Sequence, residues 1–351
     1  MVRMEALGHM NRFNIPCNVA ALSILVALFS LASCSDKEGS KGKSSKKSVN
    51  IDAIAEQIIA PEFSSDSAYY FVEKQVAFGP RVPNSKEHDE CGIWLANELR
   101  RHGAEVIVQE VRSKAFDGKI LNLSNIVGQF NPNSKKRVML YAHWDTRPFA
   151  DKDTVRSNEP IDGANDGASG VGVLLEIARQ LSINPADIGV DIIFFDGEDY
   201  GSPEGTPSTN TSYLDWCLGS QAWAKQPHRY GYRARFGILL DMVGARGAAF
   251  NREGTSMRYA PNVVRKVWSR AKELGHDDLF RNRETPSTVD DNLFVSEFGG
   301  VPSVNIVDYR MNVIPMGYGP FHHTHADNMS VIDKETLHAV GETVLSVVYT
   351  E

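Results

Sequence analysis

The sequence contains little cysteine, four residues in 351. That excludes a small scaffold stapled by disulfides, which needs a dense set of bridges. It has no excess of positive charge: 37 basic side chains stand against 44 acidic ones, for a formal net charge of −7. Without a basic surplus nothing general offsets phosphate repulsion, which argues against a nucleic-acid binder. It also lacks an apolar run long enough to cross a membrane. The stretch Val19–Leu31 covers thirteen residues, whereas a spanning helix needs roughly 20. No internal repeat is visible, and composition does not break after residue 49. What remains is 42% hydrophobic and 23% charged, the balance of a globular protein with a substantial core.

The N-terminus reads as a targeting segment. Arg12 precedes an uncharged stretch with the length of a secretory h-region. Leu31-Ala32-Ser33-Cys34 follows and resembles the bacterial lipobox, in which the cysteine is lipidated and becomes the new N-terminus. Residues 1–33 are therefore expected to be a lipoprotein signal peptide, with Met10 as an alternative start; a buried N-terminal helix is the other reading. Residues 34–48 form a Ser/Gly/Lys tether, whose five lysines against Asp36 and Glu38 leave no apolar side chain to order it. The expectation is an exported enzyme, lipid-anchored at the periplasmic face or outer membrane of a bacterium and working in water. Of the cysteines that remain, Cys91 and Cys217 read as two buried thiols, although an oxidising compartment would permit them to pair.

From residue 49 to 351 the chain reads as one domain. Helical patterns are expected around Ile51–Ile59, Ser67–Phe78, Ser85–Arg101 (with Cys91, Ile93, Leu95 and Leu99 inward), Gly170–Ile183, Pro261–Leu274 and Lys334–Tyr349. Strands are expected at Glu105–Val111, Leu121–Gly128, Val138–His143, Val190–Phe195, Phe236–Leu240 and Val304–Val307. Short apolar strands alternating with longer helices indicate an α/β fold, a three-layer α/β/α domain with a largely parallel central sheet. Ligands of such sheets bind at the carboxyl ends of the strands. His143 and Asp145 close one expected strand, Asp196, Glu198 and Asp199 another, and Asp241 a third.

Each polar segment alone is weak, since a lone carboxylate at a strand end is usually a cap or a solvated loop residue. Together they deliver imidazoles and carboxylates to one edge of one sheet. So much negative charge in one place calls for a cation. Imidazole and carboxylate donors suit zinc, which binds them at about 2.0–2.2 Å and in catalytic sites keeps a position open.

The motifs His143-Trp144-Asp145, Asn165-Asp166-Gly167-Ala168-Ser169-Gly170, Glu198-Asp199, Leu239-Leu240-Asp241-Met242-Val243-Gly244 and His323-Thr324-His325-Ala326-Asp327 occur in that order. They resemble the zinc aminopeptidase family, whose signatures are HxD, NDxxSG, a Glu followed by an acidic ligand, a strand-end Asp and HTxxD; the resemblance covers roughly residues 75–351. Within that family the chain looks most like the glutaminyl cyclases, through GANDGASG, FFDGED, LLDMVG and VDDNLF and the loop leading into Trp216-Cys217-Leu218-Gly219-Ser220.

The resemblance implies a zinc-dependent acyltransferase that converts the N-terminal glutamine of peptides or proteins to pyroglutamate and releases ammonia. It assigns Asp166, Asp199 and His323 to one catalytic zinc and Glu198 to proton transfer, with Asp241 and Asp291 in an acid network around it. In a two-zinc aminopeptidase, His143 and Asp241 would hold a second zinc with Asp166 bridging. His322 and His325 are expected to line or support the pocket. The chain departs from the family pattern at Asp199, where Glu is usual, and at His322, where the animal cyclases carry Trp. Pocket aromatics are then expected from Trp144, Trp216 or Trp223, and the Ser202–Asp215 loop is expected to wall the site. The competing readings are the two-zinc peptidase and a non-catalytic binding module on the same fold.

Overall fold

The computed structural model describes residues 60–351, apart from 204, 208, 210 and 312–316. The expected signal peptide, the tether and the helix around Ile51–Ile59 lie outside the described residues. The first half runs α1 (Ser65–Val76), α2 (Lys86–Arg101), β1 (Glu105–Lys114), β2 (Ile120–Phe130), β3 (Arg137–His143), α3 (Ala168–Ile183) and β4 (Gly189–Phe195). It continues through α4 (Leu218–Lys225), β5 (Gly237–Asp241), β6 (Phe250–Arg252), α5 (Gly254–Tyr259), α6 (Pro261–Glu273), β7 (Phe280–Glu284), α7 (Asp291–Glu297), β8 (Ser303–Val307) and α8 (Lys334–Tyr349).

Among the described residues the central sheet has six strands, in the order β1-β2-β4-β3-β5-β8. β4, β3, β5 and β8 are parallel, while β1 and β2 add an antiparallel edge. The fold is thus α/β with a largely parallel sheet. Every residue of β3, β4 and β5 is buried, which is why these strands read as continuous apolar runs. Their period-two alternation divides them between two helical layers. Val138, Leu140, Ala142, Ile192, Phe194 and Leu240 pack with Phe71, Leu95, Leu174, Val267 and Leu345 of α1, α2, α3, α6 and α8. Met139, Tyr141, Ile193, Phe195 and Leu239 face the other way, against Trp223 of α4 and Val295 of α7. Each buried aliphatic side chain contributes roughly 1.5–3 kcal/mol.

Helix ends follow local chemistry. Ser85 accepts from the His88 backbone N–H and starts α2, and Asp333 accepts from Thr336 and starts α8. Gly170 of α3 lies against the Leu240 carbonyl, so close that a Cβ there would collide with it. One expectation about α2 fails. Ile93 is 65% exposed, while Cys91, Leu95 and Leu99 are buried. Those three recur every four residues on one face, and a residue two positions on from Cys91 points away from it.

A candidate metal centre in an acidic cleft

Because β3 lies between β4 and β5, the carboxyl ends of three parallel strands meet. His143 ends β3, Asp241 ends β5, and Glu198-Asp199 follow β4. Asp166 precedes α3, and His323 comes from the segment between β8 and α8. Two motif carboxylates serve as scaffold. Asp145 accepts from the backbone N–H groups of Glu198 and Asp199, both at 3.1 Å. Asp327 likewise accepts from Asn165 at 2.7 Å and Asp166 at 3.0 Å. The loops are pinned by their backbones, and the side chains of Asp166, Glu198 and Asp199 all line the cleft.

Asp166 stands between two groups of donors. Its Oδ2 is 3.8 Å from His323 Nε2, which is 3.2 Å from Asp199 Oδ1. Its Oδ1 is 3.1 Å from His143 Nε2, which is 3.3 Å from Asp241 Oδ1. Tetrahedral ligands at about 2.0–2.2 Å from zinc are separated by roughly 3.3–3.6 Å, close to these spacings. Asp199 Oδ2 is buried and has no hydrogen-bond partner among the described residues. This donor set fits a divalent ion of zinc type. Asp166, Asp199 and His323 would hold it, with His143 and Asp241 placed for a second one.

The surroundings orient these donors. Arg147, fully buried, grips Asp151 through two hydrogen bonds of 2.9 and 2.6 Å and donates to the Asp199 carbonyl at 2.9 Å. Asp151 Oδ1 in turn faces His323 Nδ1 at 3.4 Å. A carboxylate behind a ligand imidazole fixes the ring and its tautomer. His323 has φ of 58°, a left-handed backbone that costs a non-glycine residue about 1–2 kcal/mol.

The charges shift one another. Burial drives the Glu198 carboxyl well above the ordinary carboxylate range; His143 opposes the rise, and Asp290 and Asp199 reinforce it. Burial would depress His143, but its contacts with Asp145, Asp166 and Asp241 hold it well above the usual histidine range. Burial, with His323 beside it, keeps His322 well below that range. The two rings stack with centroids 3.6 Å apart, and His322 Nδ1 lies 2.7 Å from Lys152 Nζ.

The cleft holds about 480 Å³. Trp216 and His322 line it, together with Tyr213 and Tyr318. Trp216 has the Arg147 guanidinium 4.7 Å from its ring and lies parallel to the ring of His323. Gly201 leaves the space its indole needs. The described part of the Ser202–Asp215 loop contributes Ser202, Pro203, Gly205, Thr206, Ser212 and Tyr213 to the wall.

Four expected residues lie elsewhere. Trp144 is buried behind the strand end, stacked on His88 at 4.3 Å and donating to the Ser124 carbonyl. Strand alternation turns it away from the face used by His143. Trp223 packs in the second core layer and donates to His228. His325 turns to Asp153, at 2.7 Å. Asp291 is fully buried and absent from the cleft wall, with burial pushing its carboxyl up to about 7. It is Asp290 that lines the cleft and groups with Glu198 and Cys217. Asp290 caps α7, accepting from the Asp291 N–H at 2.6 Å and from Asn305 Nδ2 at 2.7 Å. Sequence reasoning missed Asp290, Arg147, Asp151 and Cys217. The Asp290-Asp291 doublet was the one available signal, and the choice within it depends on where α7 begins.

Comparison with known proteins agrees with this architecture. A crystal structure of Bacteroides thetaiotaomicron glutaminyl cyclase bound to N-acetylhistamine is 48% identical, with a TM-score of 0.81 over 84% of this chain and 100% of that one. A Zn-dependent exopeptidase from Parabacteroides distasonis is also 48% identical, with a TM-score of 0.81 and the same coverage. The glutaminyl-peptide cyclotransferase of Drosophila melanogaster is 26% identical over 275 residues, 73% of each chain. The model of peptidase family M28 matches residues 125–348, and the chain belongs to that family.

Proposed function

We propose that this chain is a zinc-dependent glutaminyl-peptide cyclotransferase. The observation that carries the reading is Glu198: a buried carboxyl with a raised pKa, on the cleft wall next to the donors Asp166, Asp199 and His323. It occurs in a chain 48% identical to a solved glutaminyl cyclase. When bound, the metal supplies Lewis-acid polarisation of the γ-carboxamide oxygen. Glu198 takes a proton from the α-ammonium of the substrate glutamine, freeing the amine to attack Cδ, the carboxamide carbon. The new N–Cδ bond closes a five-membered lactam, the bond from Cδ to the amide nitrogen breaks, and Glu198 returns the proton to departing ammonia, which leaves as ammonium with the second proton given up by the ring nitrogen. Acid–base help of this type is worth roughly 10²–10⁴-fold. Asp290 and Asp241 face the same space, and like charges resist simultaneous ionisation, so with its burial Glu198 holds a proton above the ordinary carboxylate range and can both accept and donate one. Trp216 and Tyr213 add aromatic surface to the wall of the cleft, where the reaction consumes no water.

One catalytic zinc is our reading, because Asp166, Asp199 and His323 suffice. The 3.1 and 3.3 Å spacings around His143 favour a second reading, a two-zinc aminopeptidase. A peptide beginning with glutamine separates them. Release of ammonia without free amino acid, abolished by a chelator, is expected; release of free amino acid overturns the cyclase. We further propose peptides or proteins with N-terminal glutamine as substrates. We also propose an exported enzyme lipid-anchored at Cys34, supported by the lipobox-like Leu31-Ala32-Ser33-Cys34 and the polar tether behind it.

A further inference from the structure

A second cluster of metal-type donors lies outside the cleft. His338 and Glu342 are four residues apart on α8, so they share one face. His276 joins them from just beyond α6. Its position is fixed by the helix end: Gly275 has φ of 89°, its N–H bonds the Lys272 carbonyl, and the His276 N–H bonds the Ala271 carbonyl at 2.8 Å. This is a Schellman cap. The His276 carbonyl accepts from Leu279 and Phe280 in turn, so the residue is held on both sides. The two imidazoles converge on one carboxylate oxygen. His276 Nε2 is 2.7 Å and His338 Nε2 3.6 Å from Glu342 Oε2, and the two rings are nearly perpendicular, with centroids 6.0 Å apart.

We propose that His276, His338 and Glu342 form a second metal site, for Zn²⁺ or a similar divalent transition ion. Two imidazoles and a carboxylate are a known zinc donor set, and spacings of 2.7 and 3.6 Å bracket the roughly 3.3–3.6 Å edge of a zinc tetrahedron. All three residues are part-exposed, so solvent supplies the fourth ligand and the ion enters without unfolding. None of the three lines the catalytic cleft. The ion would clip the α6–β7 turn to α8 and add stability without taking part in turnover. It also bears on stoichiometry: two zincs per chain would not by themselves indicate a two-zinc peptidase centre.

Zinc content after equilibration in buffered Zn²⁺ tests this, with wild type compared with His338→Ala, Glu342→Gln and Asp241→Asn. Wild type is expected to hold a second equivalent. His338→Ala and Glu342→Gln should lose it, each with at least about tenfold weaker binding. Both should keep wild-type ammonia release and a native circular-dichroism spectrum. Asp241→Asn should retain the second equivalent. The proposal is overturned if wild type binds a single equivalent, if the two α8 variants bind as much as wild type, or if Asp241→Asn alone loses the second ion. Because ammonia release is read separately, failure here leaves the cyclase reading standing.

Discussion

Cys217 donates its thiol proton to Glu198 Oε1 at 3.2 Å, from a backbone with φ of 57°. Both residues are buried. Burial and the adjacent Glu198 charge hold the thiol well above its ordinary pKa, so it stays a neutral donor. A hydrogen bond to one carboxylate oxygen selects a rotamer and leaves the other oxygen to the substrate amine. A net contribution of about 0.5–1.5 kcal/mol is typical of such a bond. Cys217→Ala is therefore expected to lower kcat by roughly two- to tenfold with KM little changed, and Cys217→Ser to recover most of the loss. Steady-state ammonia release reads the difference. Equal defects in Ala and Ser variants would show that the thiol fills space without orienting Glu198.

The same burial makes both described thiols poor nucleophiles. Cys91 is pushed up to about 12, Cys217 is raised well above its ordinary range by burial and neighbouring carboxylates, and among the described residues neither forms a disulfide. Peptide mapping after alkylation of the native protein near pH 8 should find Cys91 and Cys217 unmodified, and both modified after unfolding. Rapid native labelling of Cys217 would mean the cleft wall opens.

Glu198→Gln retains shape but cannot carry a proton. Its kcat should fall by about 10²–10⁴-fold, while zinc content stays at the wild-type level because Asp166, Asp199 and His323 are intact. Loss of zinc together with activity would assign Glu198 to the metal instead. Asp199→Asn should do the converse and weaken zinc binding along with turnover. Chelation of the wild type should abolish ammonia release, and added Zn²⁺ should restore it.

Most of the frame was legible because buried parallel strands advertise themselves. β3, β4, β5 and β8 are apolar runs of five to seven residues, and their polar successors had to lie at one edge. Elements that are short, or polar and exposed, carried no such signal. β7 reads Phe-Arg-Asn-Arg-Glu with one buried residue, and α5 and α7 span only six and seven residues. At the site, residue types could be read but directions could not. Trp144 lies between His143 and Asp145 in sequence and faces the opposite layer; Asp290 and Asp291 exchange roles with a single step of register. Arg147 escaped notice because a buried arginine is recognised by its partners, and Asp151 and Asp199 meet it only in the folded chain.

His228 predicts how the fold responds to acid. Its Nδ1 accepts a hydrogen bond from Trp223 Nε1 at 3.1 Å, in the second core layer. Burial lowers its pKa to about 4; Asp191 opposes this, and Arg229 and Arg137 reinforce it. In the unfolded chain histidine titrates near 6.5. Between those values the unfolded state binds the proton and the native state does not, so stability falls as pH drops from about 6.5 toward 4. The cost levels off below the folded-state pKa, at up to roughly 3 kcal/mol. His228→Gln has no proton to bind in this range. Its thermal midpoint should fall less steeply than that of wild type across this window, even if it starts lower through loss of the Trp223 contact. Parallel slopes in the two proteins would show that the acid sensitivity arises elsewhere, with the cleft carboxylates the next groups to test.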